Sequence, residues 1–391
     1  MNLGIPRRPR ITPTRAAIAG GTAVAVATAV TLSLTLTHTA AAAKPALARL
    51  SASSCTGPAG AAYIAVAGYQ AFDAINTANC KLIQQYNVGD PAVPGNPNDS
   101  NYSSTDEAVA ISGDTLYFAD TGNDTVAVIN AAALEVSNYE NPAETLIPVG
   151  INPDSLTVTP DGSHVWVADT GPQTGLPALA DIKVISTASN TVTSTLNLPT
   201  EPRAIAFSPS ASTAYVTTSI GVYVINTATL RVTGLIPGLG SPEGVTVSPD
   251  GKTVYVTNTA QGLVDVISAA TNRVTRTIAV GQMPWQLALS SDGGTLYVAN
   301  GDSNSISVIS TASDTVTSSI PLAGDPVSLA LTPDGSELWA GGLTSAVITV
   351  FDTASETAVG SFNAGYENKP NYGDGEEPTS IAITSTPAVG S

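Results

Sequence analysis

A short strand motif led by Tyr or Trp recurs seven times along this 391-residue chain. Its members are Tyr63-Ile-Ala-Val66, Tyr117-Phe-Ala-Asp120, Trp166-Val-Ala-Asp169, Tyr215-Val-Thr-Thr218, Tyr255-Val-Thr-Asn258, Tyr297-Val-Ala-Asn300 and Trp339-Ala-Gly-Gly342. The aromatic anchors are spaced by 54, 49, 49, 40, 42 and 42 residues. Six are preceded by a tight-turn signal, as in Thr159-Pro-Asp-Gly162, Ser248-Pro-Asp-Gly251 and Thr332-Pro-Asp-Gly335. A period of this size marks stacked units, none of which can bury its own faces alone. A length that by itself suggests two or three domains is therefore read as one array.

Residues 243–281 show what one unit is. Glu243–Ser248 alternates as a strand and ends in Pro249-Asp250-Gly251, a turn in which Gly takes the positive-φ position. Thr253–Asn258, Leu263–Ser268 and Arg273–Val280 follow as β-rich runs separated by short polar turns. Four antiparallel strands in about 42 residues make one blade of a β-propeller. The expected fold is all-β, a seven-bladed propeller over residues 61–384, followed by a short tail, 385–391. The first unit begins at its aromatic strand, Ala61–Ala67, without an innermost strand, whereas Pro378–Thr384 reads as an innermost strand with no continuation. The C-terminal strand is thus expected to complete the N-terminal blade.

Composition agrees. Charged residues make up 12% of the chain, against a usual figure of about 25%, so the surface is built largely from Ser, Thr, Asn and Gly. With 34 Gly and 27 Pro spread along it, the chain is punctuated too often for a helical bundle or coiled coil. The 43% apolar fraction argues against disorder. A net charge of −17 excludes a nucleic-acid binder that works by neutralising phosphates.

Residues 1–48 read as a secretory signal. Arg7, Arg8, Arg10 and Arg15 precede an uncharged stretch, Ala16–Ala43, and small-residue exits follow at Ala43 and Ala48. An uncleaved anchor is the alternative, since that stretch is long enough to cross a bilayer. Without the leader, nine basic residues face 31 acidic ones, a net charge of −22, and residues 49–60 form a linker. Secretion or a cell-surface location, with no membrane span after cleavage, is expected. Cys55 and Cys80 then pair as one disulfide across the closing blade. Such a loop closure contributes about 3 kcal/mol.

Tyr255-Val256-Thr257-Asn258, its near copies at Tyr215–Thr218 and Tyr297–Asn300, the Ser-Pro-Asp-Gly turns and the Val280–Pro284 linker resemble the YVTN-repeat β-propellers. The resemblance covers residues 61 to 384. It implies kinship with surface-layer-related and lactonase-like seven-bladed propellers. The expected function is an exported binding or interaction module of the cell surface or extracellular space. A lactonase- or lyase-like enzyme with a pocket at the channel mouth and a structural envelope component are the alternatives. A monomer is expected, with a protein, glycan or small-molecule ligand on the loop-rich face.

The residue after each linker proline should recur around the channel mouth. Aligned, these positions are Glu107, Asp154, Arg203, Glu243, Trp285, Val327 and Thr379. Glu107, Asp154, Arg203, Glu243 and Trp285 are the candidate ligand-binding residues. Glu107, Asp154 and Glu243 carry hard oxygens suited to Ca²⁺, the one cofactor considered. Arg203 beside Glu243 can instead orient a carboxylate or a sugar acid. Long insertions at Gly89–Asp106, Asp169–Asp181 and Gly365–Glu377 fall on the same face and bring Tyr102, Tyr366 and Tyr372. His164, the one histidine beyond the leader, lies after a turn on the opposite face. Haem ligation, a multi-His metal site and a Ser-His-Asp triad at the mouth are therefore excluded. The aromatic anchors are expected to form interblade core.

Overall fold

The computed structural model describes residues 60–67, 71–78, 81–87, 108–121, 123–131, 144–171, 180–364 and 377–384. All belong to one compact unit, Ala48–Ser391. They form 28 strands, numbered in chain order, in seven four-stranded antiparallel sheets. Among the described residues no helix is long and apolar enough to cross a membrane.

Blade one, listed from the axis outward, is β28 (Glu377–Thr384), β1 (Ala61–Ala67), β2 (Ala71–Asn76) and β3 (Lys81–Asn87). Blade two is β4 (Val109–Ser112), β5 (Thr115–Asp120), β6 (Thr125–Asn130) and β7 (Glu144–Pro148). Blade three is β8 (Pro153–Val158), β9 (His164–Asp169), β10 (Asp181–Ser186) and β11 (Thr191–Asn197). Blade four is β12 (Pro202–Phe207), β13 (Thr213–Thr218), β14 (Gly221–Asn226) and β15 (Arg231–Pro237). Blade five is β16 (Pro242–Val247), β17 (Thr253–Asn258), β18 (Leu263–Ser268) and β19 (Arg273–Ala279). Blade six is β20 (Pro284–Leu289), β21 (Thr295–Asn300), β22 (Ser305–Ser310) and β23 (Thr315–Pro321). Blade seven is β24 (Pro326–Leu331), β25 (Glu337–Gly342), β26 (Ser345–Asp352) and β27 (Thr357–Asn363).

Each innermost strand touches the next in cyclic order, β28 following β24, so the ring is closed. The C-terminal strand does complete the first blade, with Ile64 opposite Ile381 and Ala61 opposite Thr384.

Why the blades stack follows from the second strand. Its residues alternate towards two neighbouring sheets, and the aromatic anchor points into the next blade. Tyr63 packs with Val109, Leu116 and Phe118 of blade two, and Tyr117 with Leu156, Val165 and Val167 of blade three. Trp166, Tyr215, Tyr255 and Tyr297 repeat this towards blades four to seven. Trp339 closes the circle against Ile64 and Ile381 of blade one. All seven anchors are at most 5% exposed. The Trp339 indole donates to Glu337 Oε2 at 3.1 Å, which satisfies a buried N–H.

The hairpins between first and second strands share one device. In Thr159–Gly162, Ser248–Gly251, Ser290–Gly293 and Thr332–Gly335, the first hydroxyl donates to the Asp two residues on, at 2.6–2.7 Å. The same carboxylate accepts a backbone N–H two residues further on. These bonds favour the ionised form and hold Asp161 and Asp250 down at about 2. Because the shift is downward, its stabilising effect is present above the unfolded carboxylate range and is lost as pH falls towards 2. The glycine has φ of 70–73° in all four turns. His164 starts β9 directly after such a turn, half-buried, with Ser163 Oγ 2.7 Å from its Nδ1.

Blade four places Ala211, φ 56°, where the other turns have glycine. Ala211→Gly should therefore stabilise the protein by about 1 kcal/mol, read from denaturant midpoints at unchanged slope. Deleting residues 376–391 strips β1 of its inner partner and leaves a free sheet edge. A melting curve well below that of the full chain, with aggregation, is expected; an unchanged curve would contradict the closure.

Candidate functional site

The mouth residues are positioned by proline and by β-bulges. Pro153, Pro202, Pro242, Pro284 and Pro326 each open an innermost strand opposite the last residue of the second strand. Directly after each, the register slips by one residue; in blade four it runs from Pro202↔Thr218 to Ile205↔Val216. Bulges re-aim side chains and cost a ladder hydrogen bond. Asp154, Arg203, Glu243 and Trp285 all sit on these bulges, half-buried, at one level of the ring.

The freed amides are recovered by the threonine of the aromatic motif. Ala204 N donates to Thr217 Oγ1 at 2.9 Å, and Thr217 donates to Glu243 O of the next blade at 2.6 Å. Gly244 N donates to Thr257 Oγ1 at 2.7 Å, and Thr257 to Trp285 O at 2.8 Å. One hydroxyl thus fixes the bulge behind a mouth residue and the carbonyl of the mouth residue one blade on. Blade six has Ala299 there, and its tie to blade seven is Gln286, whose Oε1 accepts Leu329 N at 3.0 Å.

Two of the expected residues meet directly. Arg203 Nη1 is ion-paired with Glu243 Oε1, joining blades four and five, and reaches Ser241 Oγ at 3.3 Å. Their side chains are 30% and 16% exposed. At that exposure the pair adds about 1 kcal/mol or less to stability, so its interest is chemical. Trp285 lies one blade further, its indole over Gly301, where an added Cβ would sit 3.1 Å from Nε1. Val327 is buried. Among the described residues no group of three His, Cys, Asp or Glu is placed to hold a metal. Glu107, Cys55 and Cys80 lie outside the described residues, as do Tyr102, Tyr366, Tyr372 and nearly all of the three long insertions.

A buried polar belt was not anticipated from the sequence. It joins the end of the second strand to the start of the third. Asn300 Oδ1 accepts Gly281 N at 3.1 Å and its Nδ2 donates to Ser307 Oγ at 2.9 Å. Asn258 Nδ2 donates to Asp265 Oδ2 at 3.1 Å. In blade three Asp169 accepts Gly150 N at 2.9 Å, while Lys183 Nζ bonds Asp181 Oδ2 at 2.6 Å. A Cβ on Gly150 or Gly281 would run into the Asp169 or Asn300 side chain, which explains the linker glycine. The signal for this belt was the fourth letter of each aromatic motif.

Residues 150–319 match the family model described as Lactonase, 7-bladed beta-propeller, a span covering blades three to six. Over those blades the sequence is similar to that family. Among solved structures, a chain of Kuenenia stuttgartiensis hydrazine synthase is 23% identical with a TM-score of 0.54, covering 63% of this chain and 76% of its own. A functionally unknown protein from Desulfotomaculum acetoxidans is 19% identical with a TM-score of 0.64, covering 83% and 98%. At these identities the likeness is one of fold. No curated protein matches. In all, 1634 solved chains match, so the fold is a scaffold shared by many proteins, and the chemistry of this chain must be argued from its own residues.

Thr257→Val keeps shape but removes the hydroxyl that serves Gly244 and Trp285. We expect a loss of about 2 kcal/mol, most of it from the stranded Gly244 amide, with Thr257→Ser close to wild type in chemical denaturation.

Proposed function

We propose that this protein is an exported binding propeller whose channel mouth takes a sugar acid. The observation that carries the reading is the Arg203–Glu243 pair, set on consecutive bulges beside Trp285. Arg203 has further N–H donors that suit a carboxylate in bidentate fashion. Glu243 accepts hydrogen bonds from hydroxyls, and the Trp285 ring supplies an apolar face for a pyranose. All three stand on inner strands, so little ordering is needed on binding. In a mature chain with nine basic residues, a cation at the mouth stands out against an acidic background. The basic-then-apolar leader supports export.

The family match over blades three to six favours a second reading, hydrolysis of a lactone at the same place. There Glu243 would take a proton from the attacking water while Arg203 held the emerging carboxylate.

Calorimetric titration with glucuronate and galacturonate, followed by incubation with aldonolactones, separates the two. Binding predicts saturable heat, an affinity reduced at least about tenfold in Arg203→Ala, and no lactone turnover. Turnover that disappears in Glu243→Gln at an unchanged melting temperature supports the enzyme. Neither heat nor turnover rejects both.

A further inference from the structure

The last residue of the second strand differs from blade to blade, and blades two and three place a buried carboxylate there, Asp120 and Asp169. Where blades five and six end the second strand with Asn258 and Asn300, blade three has Asp169. The asparagine of blade six is two-sided: its oxygen accepts the linker amide of Gly281, and its nitrogen donates to the third strand. Asp169 keeps the first half, since its Oδ2 accepts from Gly150, the counterpart of Gly281. Its second oxygen takes the place of the amide nitrogen and faces Asp181 on β10. Asp169 is fully buried and Asp181 is 8% exposed. Neither Oδ1 meets an N–H or O–H donor of the protein. Two buried acceptors facing one another are unsatisfied unless a proton lies between them.

We propose that Asp169 and Asp181 share one proton at neutral pH, and that Asp169, as a carboxylic acid, does the work of the asparagine amides of blades five and six and fastens the linker that leads into blade three. No group beyond that proton is required. Burial, then the hydrogen bond and charge of Asp181, push the Asp169 carboxyl up to about 8 against the opposing pull of the Gly150 amide and Lys183. Lys183 balances the one charge the pair retains, 2.6 Å from Asp181 Oδ2. On the neighbouring elements, β8 carries Asp154, and Asp124 of blade two accepts the amide of Asn152 in the same linker at 3.1 Å. The electrostatic influences on Asp169 itself come from Asp181 and Lys183. The linker Gly150–Asn152 runs straight into Pro153 and Asp154, so the proton is coupled to the root of a strand that reaches the mouth.

The sign is fixed by the raised value. The folded state holds this proton more tightly than the unfolded chain, where a carboxyl titrates near about 4. Stability from the pair is full below that range and declines as pH rises through about 8. Melting curves of the full chain should fall by about 5 °C or more between about pH 6 and about pH 9. Asp169→Asn, which supplies the amide found in blades five and six, should flatten that fall and match or exceed wild type at the alkaline end. Infrared spectra at neutral pH should show the C=O band of a buried carboxylic acid in wild type and lack it in Asp169→Asn. Should that variant misfold, Asp181→Asn offers an amide to an ionised Asp169 and should likewise remove both band and slope. A wild type without the band, or a slope that persists in the variants, overturns the proposal.

Discussion

Everything in this molecule depends on one packing arrangement: the aromatic residue of each second strand is buried in the neighbouring blade. A four-stranded sheet has two apolar faces and can cover neither alone. The seven core clusters each span two blades, Trp339 with blade one and Tyr63 with blade two included. Stability is therefore held at seams rather than inside units, and an open array would leave two faces in water. Closure follows as a requirement, and β28 meets it by pairing the end of the chain with β1. The seam between the termini is then backed by strand pairing as well as by side-chain packing.

That arrangement is also why so much of the fold could be read from the sequence. The spacing from Tyr63 to Trp339 gave the blade count, and the phase of Ala61–Ala67 against Pro378–Thr384 gave the closing strand. Strand ranges such as Thr253–Asn258 and Leu263–Ser268 coincide with those observed, because turn glycines and prolines set them locally. The site was legible only to the level of the ring. Aligning linker prolines put Arg203 and Glu243 at equivalent positions, but their contact depends on bulges, and a bulge is a relation between two strands. The hydroxyls of Thr217 and Thr257 act across a blade boundary, 26 and 28 residues away, where no local pattern shows them. In the sequence Asp169 is one more copy of the motif, since its polarity matters only once its environment is known.

The carboxylates make that last point most sharply. Asp161 and Asp169 lie eight residues apart in one hairpin of blade three. The first is exposed in a turn, surrounded by hydroxyl and amide donors, and its acidity rises. The second is buried against another acid with a single amide donor, and its acidity falls. Composition assigns both the same charge, so a formal net charge overstates the negative charge of the folded protein wherever a buried pair shares a proton.

The same reasoning locates where this scaffold is free to vary. The anchors are fixed by the seams, the linker glycines by the side chains lying on them, and the turn glycines by positive φ. The position after each linker proline is under none of these demands. Its backbone is held by the proline and the bulge, while its side chain belongs to none of the seven apolar seams. Around the ring it is occupied by Asp154, Arg203, Glu243, Trp285, Val327 and Thr379, which mix acid, base, aromatic, aliphatic and hydroxyl side chains. Charge and aromatic surface fall together on blades four, five and six, and buried Val327 ends the run. A scaffold that dictates backbone and leaves side chains open at one position of the ring can vary there without cost to the fold, and in this chain that position presents a guanidinium, a carboxylate and an indole on three consecutive blades.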